Sequence, residues 1–449
     1  MKSKVMLRRF LFLVSLMLIL LIAACSSGEE DAEESDAGGQ NDSDSGSGDS
    51  LSGDFEIQYF VGGYGDEWWK EVIGDFQEEH PDLNIIEHAG PNINEEKRTR
   101  WVSDDPPDVV YIDGAGSSET QMVEDGQLMD LTEWAEELTI DDEPLMDSFI
   151  VEPNGYDGSL YSLPLVFDTW GTWYDKALFD EKGWEVPTDF DHFMEVMGAI
   201  QKEEDIQPFV TTGMYPYYFL RGALNPAFGS VGGDELLEAL VSGEEGAWSS
   251  DETLSVMKKV EAMVDAGYLD NGFAALNHTQ PQMNFLLHKN AFIPVGFWLP
   301  NEMENDTPED FEYGFVPSPF QEEGEPYVIV PDLRPLAIAE NAENPEAAKA
   351  FVEFVFNREY AQLFSEYTGA MMNVADVDLT ENENVSEYLQ TANEMINDPD
   401  QVNIHRLPYP MSSDLEEPIS DALVALMSGE ITAEEFTERA EEAAADYRN

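Results

Sequence analysis

The chain has 449 residues, with 94 Asp and Glu against 21 Lys and Arg, a formal charge of −73 and one cysteine. This balance excludes nucleic acid as a partner, since phosphate binding needs clustered Lys and Arg, and it excludes docking on anionic lipid headgroups. One cysteine leaves no intramolecular disulfide. The acids are dispersed, as in "EEGEPY", "EDFEY" and "TAEEFTERAEEAAADY", and an even acidic coat repels itself at low ionic strength. The composition therefore predicts a high-salt setting, where ions screen charge within about 3 to 8 Å.

At the start of the chain, Lys2, Lys4, Arg8 and Arg9 precede an apolar run from Phe10 to Ile22. That run is shorter than the roughly 20 residues a spanning helix needs. A positive flank, a short apolar core and small residues mark residues 1–24 as a secretory signal peptide. The "IAAC" at its end resembles a bacterial lipobox, which implies lipidation of Cys25 and a lipid anchor in the cell membrane. An ordinary signal with an incidental cysteine is the alternative. Loss of the leader removes four basic residues and no acids, so the formal charge becomes −77. Residues 25–53 read as the lipidated Cys followed by a disordered acidic Ser/Gly tether, too poor in apolar groups to order itself. Within it "NDSDSGSGDS" lacks the closing Glu of an EF-hand loop, so no metal site is read there.

The remaining body is too long for one core, and two domains are expected. A β-rich run, Phe55 to Val61, meets a glycine turn, and helical periodicity follows through Trp68, Val72, Ile73 and Phe76. A second strand is predicted around Leu83 to Glu87. "PPDVVYIDGAGSSETQMVEDG" repeats the theme, with a strand over Val109 to Ile112, a Gly turn and a helix. Alternation of this kind predicts parallel sheet with helices on its faces, and ligands bind such sheets at the carboxyl ends of their strands. Gly62–Gly65 and Asp113–Gly116 fall at those ends.

An apolar strand from Tyr161 through Val166 then leads to Asp168, Trp170 and Trp173. A helix is predicted from Lys176 to near Gly183, and Thr188 with Asp191 reads as a capping box for the next. "DETLSVMKKVEAMVDAGYLD" reads as helix and "AFIPVGFW" as strand. Two strands in "YVIVPDLRPLAIAE" precede a long amphipathic helix with Pro345 at its first turn and Gly369 past its end. Its apolar face is Ala348, Phe351, Val352, Val355, Leu363 and Tyr367. Acidic helices from Glu416 onward close the chain.

Five stretches in order resemble the extracellular solute-binding lipoproteins of carbohydrate ABC importers, the group that includes maltose-binding protein. They are "PDVVYIDG", "GQLMDLTEW", "GSLYSLPLVFDTWGTWYDKALFDEKGWEVPTDFDHF", "NFLLHKNAFIPVGFW" and "NPEAAKAFVEFVFNREYAQLFSEYTG". In the fourth, His288-Lys289-Asn290 replaces the family's Gly-Lys core. "ALNHTQPQMNFLLHKNAFIPVGFWLPNEMENDTPEDFEYGFVPSP" looks most like binding proteins for N-acetylglucosamine and chitobiose. The resemblance implies an α/β, periplasmic-binding-protein-like fold, with two α/β lobes joined by crossover hinge strands around a ligand cleft. Lobe 1 would comprise 54–165 plus 333–403, and lobe 2 would comprise 166–332 plus 404–449. It further implies a monomer without cofactor or metal, acting outside the membrane and delivering sugar to ABC permease subunits.

A sugar site needs flat aromatic rings for C–H faces and Asp, Glu, Asn or Arg for hydroxyls, converging in a cleft. The resemblance places a stacking ring at Trp298 and a cleft carboxylate at Asp168, with an aromatic loop at Tyr215 and Tyr217. Trp170 is a second platform candidate. Tyr64 and Asp66 from the first Gly turn, and Asp113 from the second, would offer polar contacts from lobe 1. Asn301 and Glu302 follow Trp298, and Arg334 is a rare cation near a crossover. Each has a plainer reading as a core ring, a turn residue or a partner of nearby acids. The rival functions are an exported glycosidase-like enzyme and a surface adhesion lipoprotein. No G-x-S-x-G, H-E-x-x-H or P-loop supports an enzyme.

Overall fold

Alternation in "GDFEIQYF" buries Phe55, Ile57 and Tyr59 and forms β1 (Gly53–Phe60). The computed structural model describes residues 50–203 and 206–449, so the leader, Cys25 and most of the tether lie outside the described residues. After β1, the helix Glu67–Glu79 buries Trp68, Trp69, Val72, Ile73 and Phe76 at helical spacing. Parallel strands β2 (Leu83–Gly90) and β3 (Val109–Tyr111) flank β1. A short hairpin, β4 (Thr139–Ile140) and β5 (Glu143–Pro144), precedes β6 (Ser162–Asp168) and β7 (Trp170–Asp175). The later strands are β8 (Gln207–Phe209), β9 (Asn290–Gly296), β10 (Tyr313–Val316) and β11 (Tyr327–Ile329), then β12 (Asp332–Ile338), β13 (Met371–Met372) and β14 (Val402–Ile404).

These strands build two α/β lobes. The first sheet has the order β13-β6-β12-β3-β1-β2 and the second β10-β7-β9-β8, while β11 and β14 pair separately. Between β6 in one sheet and β7 in the other stands Thr169 alone. The chain passes between lobes in one residue there, which puts the end of β6 at the floor of the cleft. The start of β12 arrives beside it, with Asp332 opposite Asp168.

Each sheet has its own aromatic packing. Phe55 of the first lies 5.7 Å from Phe351 and 6.0 Å from Phe76. In the second, Phe292 lies 5.1 Å from Phe193 and 5.3 Å from Phe179. Each buried ring of this kind contributes about 1.5–3 kcal/mol. The helix Glu387–Ile396 reaches across, packing Tyr388 on Trp173 of β7 at 5.0 Å, with Glu387 paired to Lys176.

Two local expectations need correcting. The long helix from Pro345 is two helices, Pro345–Val355 and Arg358–Thr368. Asn357 adopts an extended conformation and its side chain caps the second helix at the Tyr360 amide, which resets the helical phase. Ala361, Phe364, Ser365 and Thr368 are therefore buried, and Leu363 and Tyr367 only partly. The expected capping box at Thr188 is a cap by Asp189, whose carboxylate accepts from the His192 amide. Trp173 is wholly buried, its indole N–H donating to the Val295 carbonyl at 2.9 Å.

Candidate functional site

The carboxyl ends of β1 and β3, the β6–β7 crossover and the segment after β9 converge on a cleft of about 860 Å³. Glycine permits the closest approach. A Cβ on Gly63 would come within 2.8 Å of Trp298 Cβ, and Gly114, at φ +79°, would crowd Phe60. The two glycine turns thus let backbone from the first lobe press against aromatic rings.

On the first-lobe side the floor is an ion network. The Arg334 guanidinium lies 2.9 Å from Asp168, 2.9 Å from Asp332 and 3.4 Å from Asp113. Arg221, from the other lobe, reaches Asp332 at 2.8 Å. Tyr64 donates its hydroxyl to the second Asp168 oxygen at 2.6 Å, and the Gly114 amide donates to Asp113 at 2.7 Å. The Asp168 side chain is 1% exposed. Burial pushes its carboxyl up to about 7, with Arg334 and the Tyr64 hydrogen bond opposing and Asp332 and Asp113 adding to the rise. Burial also raises Asp113. At Asp332 burial acts in the same sense, but Arg221 and Arg334 outweigh it and hold the carboxyl below its ordinary value.

On the other side the wall is aromatic. Trp298 stands edge-to-face with Trp170 at 4.5 Å and with Tyr64 at 6.3 Å. Trp170 is only 2% exposed, and its buried indole N–H has no acceptor among the described residues. Tyr215 is 39% exposed at the rim, and Tyr217 carries the Arg221 guanidinium 4.9 Å over its ring. Tyr217, Tyr218 and Arg221 share one short helical stretch that widens into a π-turn over Leu220–Leu224. Pro226 follows, with no N–H for the Gly222 carbonyl, and this accounts for the widening.

A polar chain backs this wall. The Tyr218 hydroxyl meets His278 Nδ1, His278 Nε2 meets Glu302 at 2.9 Å, and Gln282 donates to the other Glu302 oxygen at 2.9 Å. Burial opposes the Glu302 charge, but these hydrogen bonds prevail and lower its pKa. The arrangement presents hydrogen-bonding groups and ring faces to one enclosed volume. Among the described residues no group of three or more His, Cys, Asp and Glu is placed to hold a metal ion, and no helix is long and apolar enough to cross a membrane.

Ten of the residues singled out from sequence line this cleft: Tyr64, Asp113, Asp168, Trp170, Tyr215, Tyr217, Trp298, Asn301, Glu302 and Arg334. Asp66 does not, because it stands at the head of the helix Glu67–Glu79 and pairs with Lys70 at 2.6 Å. Asn301 spends its amide N–H on the Gly63 carbonyl at 2.6 Å, tying the lobes together. Sequence reasoning passed over Tyr218, Arg221, His278 and Asp332, which also line the cleft. Arg221 had a signal in the scarcity of basic residues, and Asp332 in its place two residues before Arg334.

The model of the bacterial extracellular solute-binding proteins matches residues 62–362, and the chain belongs to that family. It is a receptor that captures a solute, and not an enzyme. A diacetylchitobiose-binding protein of Streptomyces coelicolor is 26% identical over 357 residues, covering 76% of this chain and 75% of that one. A multiple sugar-binding protein of Streptococcus mutans is 21% identical, covering 69% and 72%. The same fold occurs in a chitin oligosaccharide binding protein, with a TM-score of 0.68 at 16% identity over 88% of this chain and 98% of that one. It occurs too in a sugar-binding protein of Xanthomonas citri, with a TM-score of 0.69 at 17% identity, covering 88% and 98%.

Proposed function

We propose that the protein captures a sugar, in the class of N-acetylglucosamine or a chitooligosaccharide, outside the membrane and hands it to an ABC permease. The observation that carries this reading is the cleft itself, in which a partly exposed Trp298 ring faces a floor of Asp, Arg and Tyr side chains. Ring faces suit the C–H surface of a pyranose and planar charged groups suit its hydroxyls. The names of the relatives from Streptomyces coelicolor and Streptococcus mutans support a saccharide. In this reading lobe 1 is 54–168 plus 332–403 and lobe 2 is 169–331 plus 404–449, the crossings expected at 165/166 and 332/333 moving to the end of β6 and the start of β12, and the lobes close by hinge motion. Cys25 carries a lipid anchor, residues 26–53 form the tether, and the acidic coat adapts a monomer to high salt.

A thermal-shift screen of sugars in molar salt tests the reading, since a ligand that binds only the native state raises apparent stability. Chitooligosaccharides are expected to raise the melting temperature in a concentration-dependent way. A panel of neutral and amine-bearing saccharides that is wholly without effect would overturn the proposal. Product formed on prolonged incubation would overturn it as well.

A further inference from the structure

The cleft is poorly suited to an acidic saccharide. Its lining holds Asp113, Glu119, Asp168, Glu302 and Asp332 against Arg221 and Arg334. Both guanidiniums already face carboxylates. An incoming uronate or sulfate would meet several fixed negative charges and, among the described residues, no free cation.

The ion network at the floor is also unbalanced. Among the described residues, Asp113, Asp168 and Asp332 are joined through ion pairs to two guanidiniums only, which leaves one formal negative charge. The groups facing Asp168 are Tyr64 from the first glycine turn, Tyr111 and Asp113 from β3, Asp332 and Arg334 from β12, and Tyr218 from the aromatic stretch. None supplies the missing positive charge. Glu416, beyond Arg221, adds acidic field and makes no ion pair among the described residues. Buried networks are stable when their charges are matched. A net charge left in such a site draws a counter-charge, either a proton or a cation; at Asp168, burial first and the Asp332 and Asp113 charges after it favour the protonated form.

A cation would also find an acceptor. Asp332 directs one oxygen to both arginines, and its other oxygen accepts no hydrogen bond among the described residues. We infer that the ligand carries one positive charge into the cleft, as the ammonium of an unacetylated amino sugar, and thereby balances the Asp113–Asp168–Asp332 carboxylates. The inference rests on the saccharide reading above and narrows it to a glucosamine-containing oligosaccharide, the de-acetylated counterpart of a chitooligosaccharide.

Isothermal titration calorimetry at pH 7 tests it on the full-length protein, with the glucosamine disaccharide and its di-N-acetyl counterpart as probes. One uncompensated charge at short range predicts that the free-amine form binds at least about tenfold tighter. Asp168→Asn removes that charge and is expected to shrink the preference at least about fivefold. Asp113→Asn does the same while keeping an oxygen for the Gly114 amide, so the test survives if the first variant misfolds. A preference for the acetylated form, or an amine preference that neither variant moves, overturns the inference. If neither probe binds while another neutral oligosaccharide does, the inference falls and the saccharide reading stands. If no saccharide binds at all, both fall.

Discussion

The two walls of the cleft are built on opposite plans. The first-lobe wall is charged and pre-organised, its carboxylates held by Arg334, Arg221, Tyr64 and the Gly114 amide with one negative charge in excess. The second-lobe wall is aromatic, with partly exposed rings at Tyr215, Tyr217 and Trp298 and an unpartnered indole N–H at Trp170. Pre-paired charges cost no reorganisation when a ligand arrives, so the charged wall fixes orientation and selects by charge. The aromatic wall has surface still to bury, and burial is where the affinity resides. One wall therefore governs which ligand binds, and the other how tightly.

The largest expected effect comes from breaking the charged wall. Arg334→Met leaves three carboxylates facing Arg221 alone and should lower unfolding stability by about 3–5 kcal/mol, read by urea denaturation in high salt. Next, Trp298→Ala removes the most prominent face of the aromatic wall and should weaken ligand binding by about 2–4 kcal/mol with little change in fold. The comparison is broken if the arginine variant alters affinity alone while the tryptophan variant unfolds the protein.

A smaller effect concerns pH. The folded Asp168 carboxyl titrates near 7, above its unfolded value of 3.8. Between those values the native state holds a proton that the unfolded state has lost, so this group's contribution to stability is full below pH 4 and falls as pH rises towards 7. The slope is at most about 1.4 kcal/mol per pH unit, and Asp168→Asn should flatten it in a series of melts from pH 4 to 8. Smallest is Asn301→Ala. Loss of its hydrogen bond to the Gly63 carbonyl should cost about 0.5–1.5 kcal/mol, seen as a modestly larger radius of gyration by small-angle scattering.

Much of the charged wall was legible in the sequence because strand-end positions follow from periodicity. Once the runs ending at Val61 and Ile112 are read as parallel strands, Tyr64 and Asp113 fall at their carboxyl ends, where open sheets bind ligands. Asp66 fell in the same turn, yet a Lys one helical turn on claims it, and spacing alone does not rank a ligand contact above an i,i+4 pair. The helix break at Asn357 was hidden because "FNREY" keeps its apolar residues close to helical phase, whereas the capping bond depends on one backbone conformation.

The aromatic wall was only half legible. Tyr215 and Tyr217 were visible as a ring-rich loop, but Tyr218 lies in the same run and its role depends on His278, 60 residues later. That contact is created by the π-turn and by the packing of two separate helices, which no local pattern encodes. Arg221 and Asp332 meet across the crossover for the same reason, being 111 residues apart.

The central claim is that a saccharide is gripped in the interlobal cleft against Trp298. Tryptophan fluorescence titration with a chitooligosaccharide, run in parallel on the wild-type protein and Trp298→Ala in molar salt, tests it most directly. A saturable change in the wild type that the variant lacks, or shows only at concentrations at least about 30-fold higher, is the result this account predicts. An equal saturable change with equal affinity in the variant would contradict it.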